Sequence, residues 1–290
     1  MKLPEHFLSE QSDGVTITRR TTVSLSAVRA VIHQHRERTR DRNQSIIKNG
    51  PKSTVYLLPV VFEGKERTLC LKTYLVKGWL NSLKQICRPS RAMGSLRAAE
   101  TLRREGIKTA APLAVVDKKR GFLPMEAMLV MENISEFPGL PEYIEEHFPP
   151  SPSKKQIEDK RTFIKLFAFF LKNLHDKGIY QNDFKTTNIF VEEPVLAKES
   201  FWLIDLDQVF FSKKVSWRRK IKNLCQINTS IPWQITLTDR LRFFHWYTGK
   251  SRLEKADKKT LKESIRLSWK RNPRWHPRFK MDAKTIRNWQ

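Results

Sequence analysis

The chain has 290 residues, of which 39% are hydrophobic and 29% charged, so it can bury a sizeable core and is neither fibrous nor disordered in composition. Its length fits one bilobal domain or two small ones. Lys and Arg number 55 against 30 Asp and Glu, and the resulting net charge of +25 predicts an anionic partner: a phosphorylated lipid or bilayer surface, or nucleic acid. No apolar run reaches the roughly 18 residues of a membrane span, and the opening Met1-Lys2-Leu3-Pro4 lacks a signal-peptide core. The cysteines, Cys70, Cys87 and Cys225, are odd in number and far apart, so reduced thiols in a cytoplasmic protein are expected rather than disulfides or zinc.

Residues 1–14 read as a loose polar tail. From Ser24 a helical pattern runs through Val28, Val31 and Ile32 into an arginine-rich end at 36–42, with Ser24 or Ser26 as N-cap. That basic end is either a surface contact or a solvated terminus complementing the helix dipole. Residues 44–47, 54–62 and 68–75 read as strands, and Glu63-Gly64-Lys65 marks a hairpin between the last two. Lys72 is embedded in the apolar run Leu69-Cys70-Leu71-Lys72-Thr73-Tyr74. A buried lone ammonium requires a carboxylate or phosphate partner; the alternative is an edge-strand lysine facing solvent. In the preceding turn, Lys48, Gly50, Lys52 and Ser53 could cradle phosphate, and an ordinary hairpin turn accounts for them equally well.

A helix is predicted over 91–105, closed by Gly106. Strands follow at 114–117 and 127–131, and Glu132-Asn133-Ile134 leads into a Pro- and Gly-containing crossover suited to a hinge. Residues 159–177 carry Phe163, Leu166, Phe167, Phe170, Leu171 and Leu174 on one wide face, the pattern of a buried core helix. His175 at its end is read as a structural hydrogen-bonding group. Further on come a basic segment at 213–222, a stretch at 224–230, and a helix from 236 capped by Thr236 or Thr238. The end, 250–290, mixes Trp269, Trp275 and Trp289 with lysines and arginines. This suits a membrane interface, nucleic-acid stacking, or the packing of a helical subdomain.

The stretch with the most chemistry is 179–207. Two β-type runs, 188–191 and 201–206, flank a turn-rich insert, and the ends of this hairpin carry Asp183, Asn188 and Asp205. Such hard oxygen donors suit Mg²⁺. Asp183 and Asn188 are 188 − 183 = 5 apart, the spacing of the catalytic-loop Asp and Asn of protein kinases. On that pattern Asp183 is the base, Lys185 reaches the transferred phosphate, Asn188 and Asp205 hold the metal, and Asp207 supports them or takes a second metal. Lys72 then holds the nucleotide phosphates and Glu100 pairs with Lys72. The bland alternatives are an Asn-Asp turn before a hairpin, and a surface Glu-Arg pair on the helix.

Taken together, Lys48-x-Gly50-x-x-Ser53, Leu71-Lys72-Thr73-Tyr74, Ser90-Arg91-Ala92 onward to Gly106-Ile107 and Pro112, Leu174-His175-x-x-Gly178, Asp183-Phe184-Lys185-Thr186-Thr187-Asn188 and Ile204-Asp205-Leu206-Asp207 resemble the bacterial lipopolysaccharide kinase family. These are protein-kinase-like enzymes that phosphorylate Kdo or heptose sugars of the lipid A core. The resemblance extends through Asn228-Thr229-Ser230 and Thr238-Asp239-Arg240 to Tyr247, roughly residues 44 to 250. It implies an α+β, protein-kinase-like bilobal fold with a small antiparallel-sheet N-lobe and a larger, mainly helical C-lobe. The implied organisation is a tail and basic helix over 1–43, lobes over 44–132 and 133–250, and a basic Trp-containing extension over 251–290.

It further implies an ATP- and Mg²⁺-dependent kinase whose nucleotide site uses Lys72, Glu100, Gly50 and Ser53. The expected acceptor is an anionic glycolipid at the cytoplasmic face of the inner membrane, met by a peripheral, monomeric enzyme, with nucleic acid the disfavoured partner. One departure stands out. The His-Arg of the kinase loop is Gln181-Asn182 here, which leaves Asp183 without its usual histidine support and removes the arginine that phosphorylated activation loops engage. A kinase of a small molecule or protein, and a catalytically degenerate kinase-fold binding protein, are the alternative readings.

Overall fold

The computed structural model describes residues 3–40, 45–50, 53–75, 86, 88–195 and 197–275. The readings placed on Lys52, Cys87, Trp289, the side chain of Trp275 and the arginine-rich end beyond residue 40 lie outside these. The chain forms two compact units, Met1–Glu136 with Asp205–Asp207, and Phe137–Ile204 with Gln208–Gln290.

The first unit is built on a seven-stranded antiparallel sheet. Its strands are β1 (Phe7–Ser12), β2 (Val15–Arg20), β3 (Ser45–Asn49), β4 (Thr54–Phe62), β5 (Lys65–Leu75), β6 (Pro112–Arg120) and β7 (Leu123–Glu132), in the order β1-β2-β6-β7-β5-β4-β3. Helix α1 (Leu25–Arg40) covers one face and α2 (Arg91–Arg104) the other. Ser24 caps α1 by accepting from the Ala27 amide at 3.1 Å. Strand alternation sends Leu69 and Leu71 of β5 into a core with Val28 and Val31 of α1, and Lys72 and Tyr74 to the α2 side with Leu96, Val115 and Leu129. Both faces of β5 are therefore covered, which is why its inner half reads as a nearly unbroken apolar run rather than an alternating one. Lys72 stands mid-sheet, opposite Val55 on β4 and Leu129 on β7.

The expected loose tail is corrected here. Phe7 to Ser12 pair with β2, β2 pairs with β6, and Phe7 is 4% exposed in the core under α2. The segment is polar because only Phe7 points inward, and five solvent-facing residues of an edge strand carry no hydrophobic period.

The second unit contains α3 (Leu140–His147), α4 (Lys154–Asp176), α5 (Trp217–Ser230), α6 (Leu237–Thr248) and α7 (Lys255–Trp275), with two short ribbons. One ribbon pairs β9 (Ile189–Val191) with β10 (Phe201–Leu203), as the sequence indicated; the other pairs β8 (Ile179–Gln181) with β11 (Val209–Phe211). Helix α4 starts earlier than the hydrophobic pattern shows, because Ser153 and Gln156 form a reciprocal capping box ahead of the first buried side chain, Lys160. Phe163, Phe167 and Phe170 of α4 gather around Phe201 of β10, with ring centroids 5.7, 5.2 and 5.4 Å from it. Thr236 rather than Thr238 caps α6, in a second capping box with Asp239, and Lys160 of α4 meets Asp239 at 3.1 Å. Trp269 of α7 lines an apolar cavity of about 680 Å³ between α4, α5, α6 and α7, alongside Phe163, Leu224 and Phe243, so this tryptophan takes the packing alternative.

Gly178 joins α4 to β8 at φ +73°, and a Cβ there would collide with the Ser212 carbonyl oxygen beside β11. Gly178→Ala should cost at least about 2 kcal/mol of unfolding free energy, from left-handed strain and the displaced ribbon together. Urea unfolding checks this, and an unchanged midpoint would contradict the geometry.

Candidate functional site

Within the first unit, a buried charge cluster surrounds Lys72, whose side chain is 9% exposed. Its ammonium donates to Asp205 Oδ1 at 2.5 Å and to Asp207 Oδ1 at 2.9 Å. The two carboxylates differ. Asp207 is 6% exposed; its Oδ1 also accepts from the Tyr74 hydroxyl at 2.5 Å and from Ser95 at 2.9 Å, while Arg91 donates to Oδ2. Asp205 is 27% exposed, and its second oxygen lies 3.9 Å from the Lys48 ammonium. Asp205 also adopts φ +58°, a left-handed conformation that Asp tolerates better than most residues.

Burial alone would push the Lys72 pKa down, but Tyr74 and the Asp207 and Asp205 carboxylates outweigh it and hold it above the usual lysine value. Burial likewise pushes Asp207 up, and Lys72, the Tyr74 hydroxyl and Arg91 reverse it, so this carboxylate sits below its ordinary range. The cluster is thus a locked set of opposite charges, which is what makes an ammonium tolerable mid-sheet.

Glu100 is not the partner expected for Lys72. It is buried on α2 but pairs with Arg20 of β2, a strand that the sequence pattern does not reveal; among the described residues the carboxylates on Lys72 are Asp205 and Asp207. Gly50 and Ser53 close the β3–β4 turn, the Gly50 amide donating to the Ser53 carbonyl at 3.0 Å, so that N–H is already engaged within the turn. Lys48, at the end of β3 beside this turn, reaches the cluster. Sequence reasoning does not single out Tyr74, Arg91 or Ser95 as functional, although spacing carries a signal. Tyr74 is two residues from Lys72 on one strand face, and Arg91 and Ser95 are four apart on one helix face.

Within the second unit, residues 183–188 form a tight loop between β8 and β9. Asn188 Nδ2 donates to the Asp183 carbonyl at 2.8 Å, closing it. The Lys185 ammonium meets Asp183 Oδ2 at 2.8 Å, with both side chains about a third exposed. Thr186 is pinned to the end of α5, its amide to Ser230 Oγ at 3.0 Å and its hydroxyl to the Ser230 carbonyl at 2.7 Å.

The missing His-Arg is replaced by amides. Gln226 of α5 donates to the Asn182 carbonyl at 2.7 Å and accepts from the Phe184 amide at 3.3 Å, bracketing Asp183. Asn223, one turn earlier, donates to Gln226 Oε1 and to the Gln181 carbonyl, and accepts from His175 Nε2 at 3.1 Å. His175 Nδ1 in turn faces the Tyr247 hydroxyl at 2.8 Å. One neutral tautomer, Nε2 donating and Nδ1 accepting, satisfies both. His175 is therefore the far anchor of the loop scaffold, as its structural reading expected. Gln181 and Asn182 bond outward, to the Ile204 carbonyl, Lys222 and Gln208.

Each of the two residues expected to meet Mg²⁺ carries a hard oxygen donor: Asn188, whose amide nitrogen is spent inside its loop, in the second unit, and Asp205, whose carboxylate is 27% exposed, in the first. Asp207 does not fit as a second ligand, since four donors already occupy it. Among the described residues no group of three or more His, Cys, Asp or Glu could hold a metal ion.

Comparison with known proteins bears on the family and the fold. The family model described as lipopolysaccharide kinase (Kdo/WaaP) matches residues 61–247. Among solved structures, one described as WaaP in complex with acyl carrier protein superimposes with a TM-score of 0.55 at 16% identity, over 79% of this chain and 86% of that one, which makes the fold protein-kinase-like. No curated protein matches the sequence.

The scaffold behind Asp183 predicts a pH signature. Burial pushes the His175 pKa down from 6.5 to about 4, more than its bond to Asn223 raises it. Between those values the unfolded chain binds the additional proton, so this group's contribution to stability is intact above pH 6.5 and is lost as pH falls towards 4, by on the order of 3 kcal/mol in all. Unfolding free energies measured across this window should fall less steeply for His175→Gln than for wild type; parallel curves would show that His175 is not held neutral.

Proposed function

The chain belongs to the lipopolysaccharide kinase (Kdo/WaaP) family, and from that premise we propose that it transfers the γ-phosphoryl group of ATP to a sugar hydroxyl of the lipopolysaccharide core or a similar anionic glycolipid. Membership makes it a phosphotransferase that uses a nucleotide. The observation that carries the finer reading is the Lys72–Asp205 pair at 2.5 Å, a mid-strand lysine joined to the aspartate that begins the Asp205-Leu206-Asp207 turn. Kinases use this combination to bind nucleotide phosphates and their metal.

In the proposed reaction Lys72 binds the α- and β-phosphates, and Asn188 and Asp205 would supply oxygen ligands to Mg²⁺, which would offset phosphate charge. Asp183 accepts the proton of the acceptor hydroxyl, while Lys185, already within 2.8 Å of that carboxylate, offsets charge on the transferred group. Gln226 and Asn223 do not touch substrate; they hold the backbone on both sides of Asp183, so that its carboxylate has one aim. Gly50 and Ser53 shape the turn over the phosphates, with Lys48 as its charged member. The enzyme works as a peripheral protein at the cytoplasmic face of the inner membrane; among the described residues no helix is long and apolar enough to cross it.

Labelled ATP offered with purified lipid A-core, with its deacylated soluble counterpart, and with protein and small-molecule acceptors tests the assignment. Transfer should go to the core sugar, and Asp183→Asn should lower kcat by about a thousandfold with little change in KM for ATP. Label in another acceptor class would replace the glycolipid, and full activity in Asp183→Asn would remove the base.

A further inference from the structure

The second unit carries a surface that the transfer reaction does not use. From Gln208 to Thr238 the chain has no acidic residue, while Lys213, Lys214, Arg218, Arg219, Lys220 and Lys222 fall within ten positions. Interleaved with them are three exposed aromatics, Phe210 at 46%, Phe211 at 42% and Trp217 at 44%. Two consecutive phenylalanines on a strand point to opposite faces, and a half-buried ribbon would hide one. Among the described residues β11 pairs with β8 alone, and both rings stay exposed.

Specific contacts make the surface one patch. The Tyr180 and Phe210 rings stack at 6.1 Å, and the Arg219 guanidinium lies 4.9 and 5.5 Å from their centroids. Trp217 donates to Thr260 of α7 at 2.9 Å, and Lys259 lies 5.6 Å from its ring, so exposed Lys258, Lys259 and Lys262 extend the field. The carboxylates of that stretch of α7 are already engaged, Asp257 by Lys250 and Glu263 by Arg266. The patch also touches the catalytic loop, since Lys222 donates to Asn182, the residue before Asp183, at 2.6 Å.

We infer that this face, formed by β11, the β11–α5 turn, the start of α5 and the middle of α7, docks on an anionic phospholipid bilayer. Phe210, Phe211 and Trp217 enter the interface and the lysines and arginines meet lipid headgroups. Exposed rings set among cations with no acid nearby complement an interface that is apolar below and negative above. A bilayer is favoured over nucleic acid because the proposed acceptor is itself anchored in one, and in that respect the inference rests on the glycolipid reading. Docking through this face would bring the loop at 182–188, which the patch adjoins at Asn182, to headgroup-level sugars without extracting the lipid.

Vesicle flotation of the full chain tests it without turnover, using phosphatidylcholine vesicles with and without phosphatidylglycerol and containing no acceptor. Wild type should float only with the anionic vesicles and should be released by salt. Lys213→Glu/Lys214→Glu and Phe210→Ser/Phe211→Ser should each weaken binding at least about tenfold. Lys118→Glu/Lys119→Glu, an equal charge change in the first unit, should stay within about twofold of wild type. Each variant should remain folded, with a cooperative melt and the wild-type circular dichroism spectrum, and should transfer phosphate to deacylated soluble core at the wild-type rate, since none of the substituted residues is in the site. Equal flotation with neutral vesicles, equal losses in the control pair, or retained binding in both patch variants would overturn the inference. So would a short RNA that displaces the vesicles through the same residues. Failure of phosphate transfer with vesicle binding intact would instead count against the kinase acceptor, not against this surface.

Discussion

An ammonium in the middle of a sheet, flanked by Val55 and Leu129, is the constraint on which the first unit depends. Left alone it would be neutral or would break the sheet; paired with Asp205 and Asp207 it is charged, and its pKa is raised. The pairing requires a turn from far along the chain to lie against β5. Asp205–Asp207 accordingly belong with the first unit, although the residues on either side belong to the second. The turn is fastened there by Asp207, which joins Lys72 and Tyr74 on the strand to Arg91 and Ser95 on α2. Asp205 is less buried, held in a left-handed conformation, and faces Lys48 as well as Lys72.

This division of labour alters the way the site is assembled. In the pattern the sequence suggested, a helix glutamate holds the lysine. Here α2 acts on Lys72 through Asp207 instead, and Glu100 ties α2 to β2 by way of Arg20. The second unit has made a comparable substitution. With Gln181-Asn182 where a His-Arg is usual, the loop around Asp183 is held by main-chain bonds to Gln226 and Asn223, backed by a neutral His175. Amides supply direction without charge, so the loop's order does not rest on a phosphorylated partner.

Much of this was legible in the residues. Lys72 announced itself as a cation in an apolar strand that needs acidic partners, and Asp183, Lys185 and Asn188 as members of one loop by their spacing, because short-range geometry in a tight loop fixes which side chains share it. The hairpin of β9 and β10 followed from two short apolar runs around a turn-rich insert. What could not be read were long-range choices between similar groups. Nothing local distinguishes Glu100 from Asp207 as the partner of Lys72, since that depends on Arg20 reaching one of them from β2. β1 was invisible because an edge strand with one buried residue has no period, and the β8–β11 ribbon because three-residue strands are too short to show one.

If Lys72 and Asp205 form a nucleotide and metal site, calorimetric titration of the full chain with a non-hydrolysable ATP analogue, with and without Mg²⁺, shows it most directly. Mg²⁺ should tighten binding to wild type, Asp205→Asn should abolish this enhancement, and Lys72→Met should weaken binding by at least about tenfold under both conditions. Analogue binding that is indifferent to Mg²⁺ and to both substitutions would contradict the assignment.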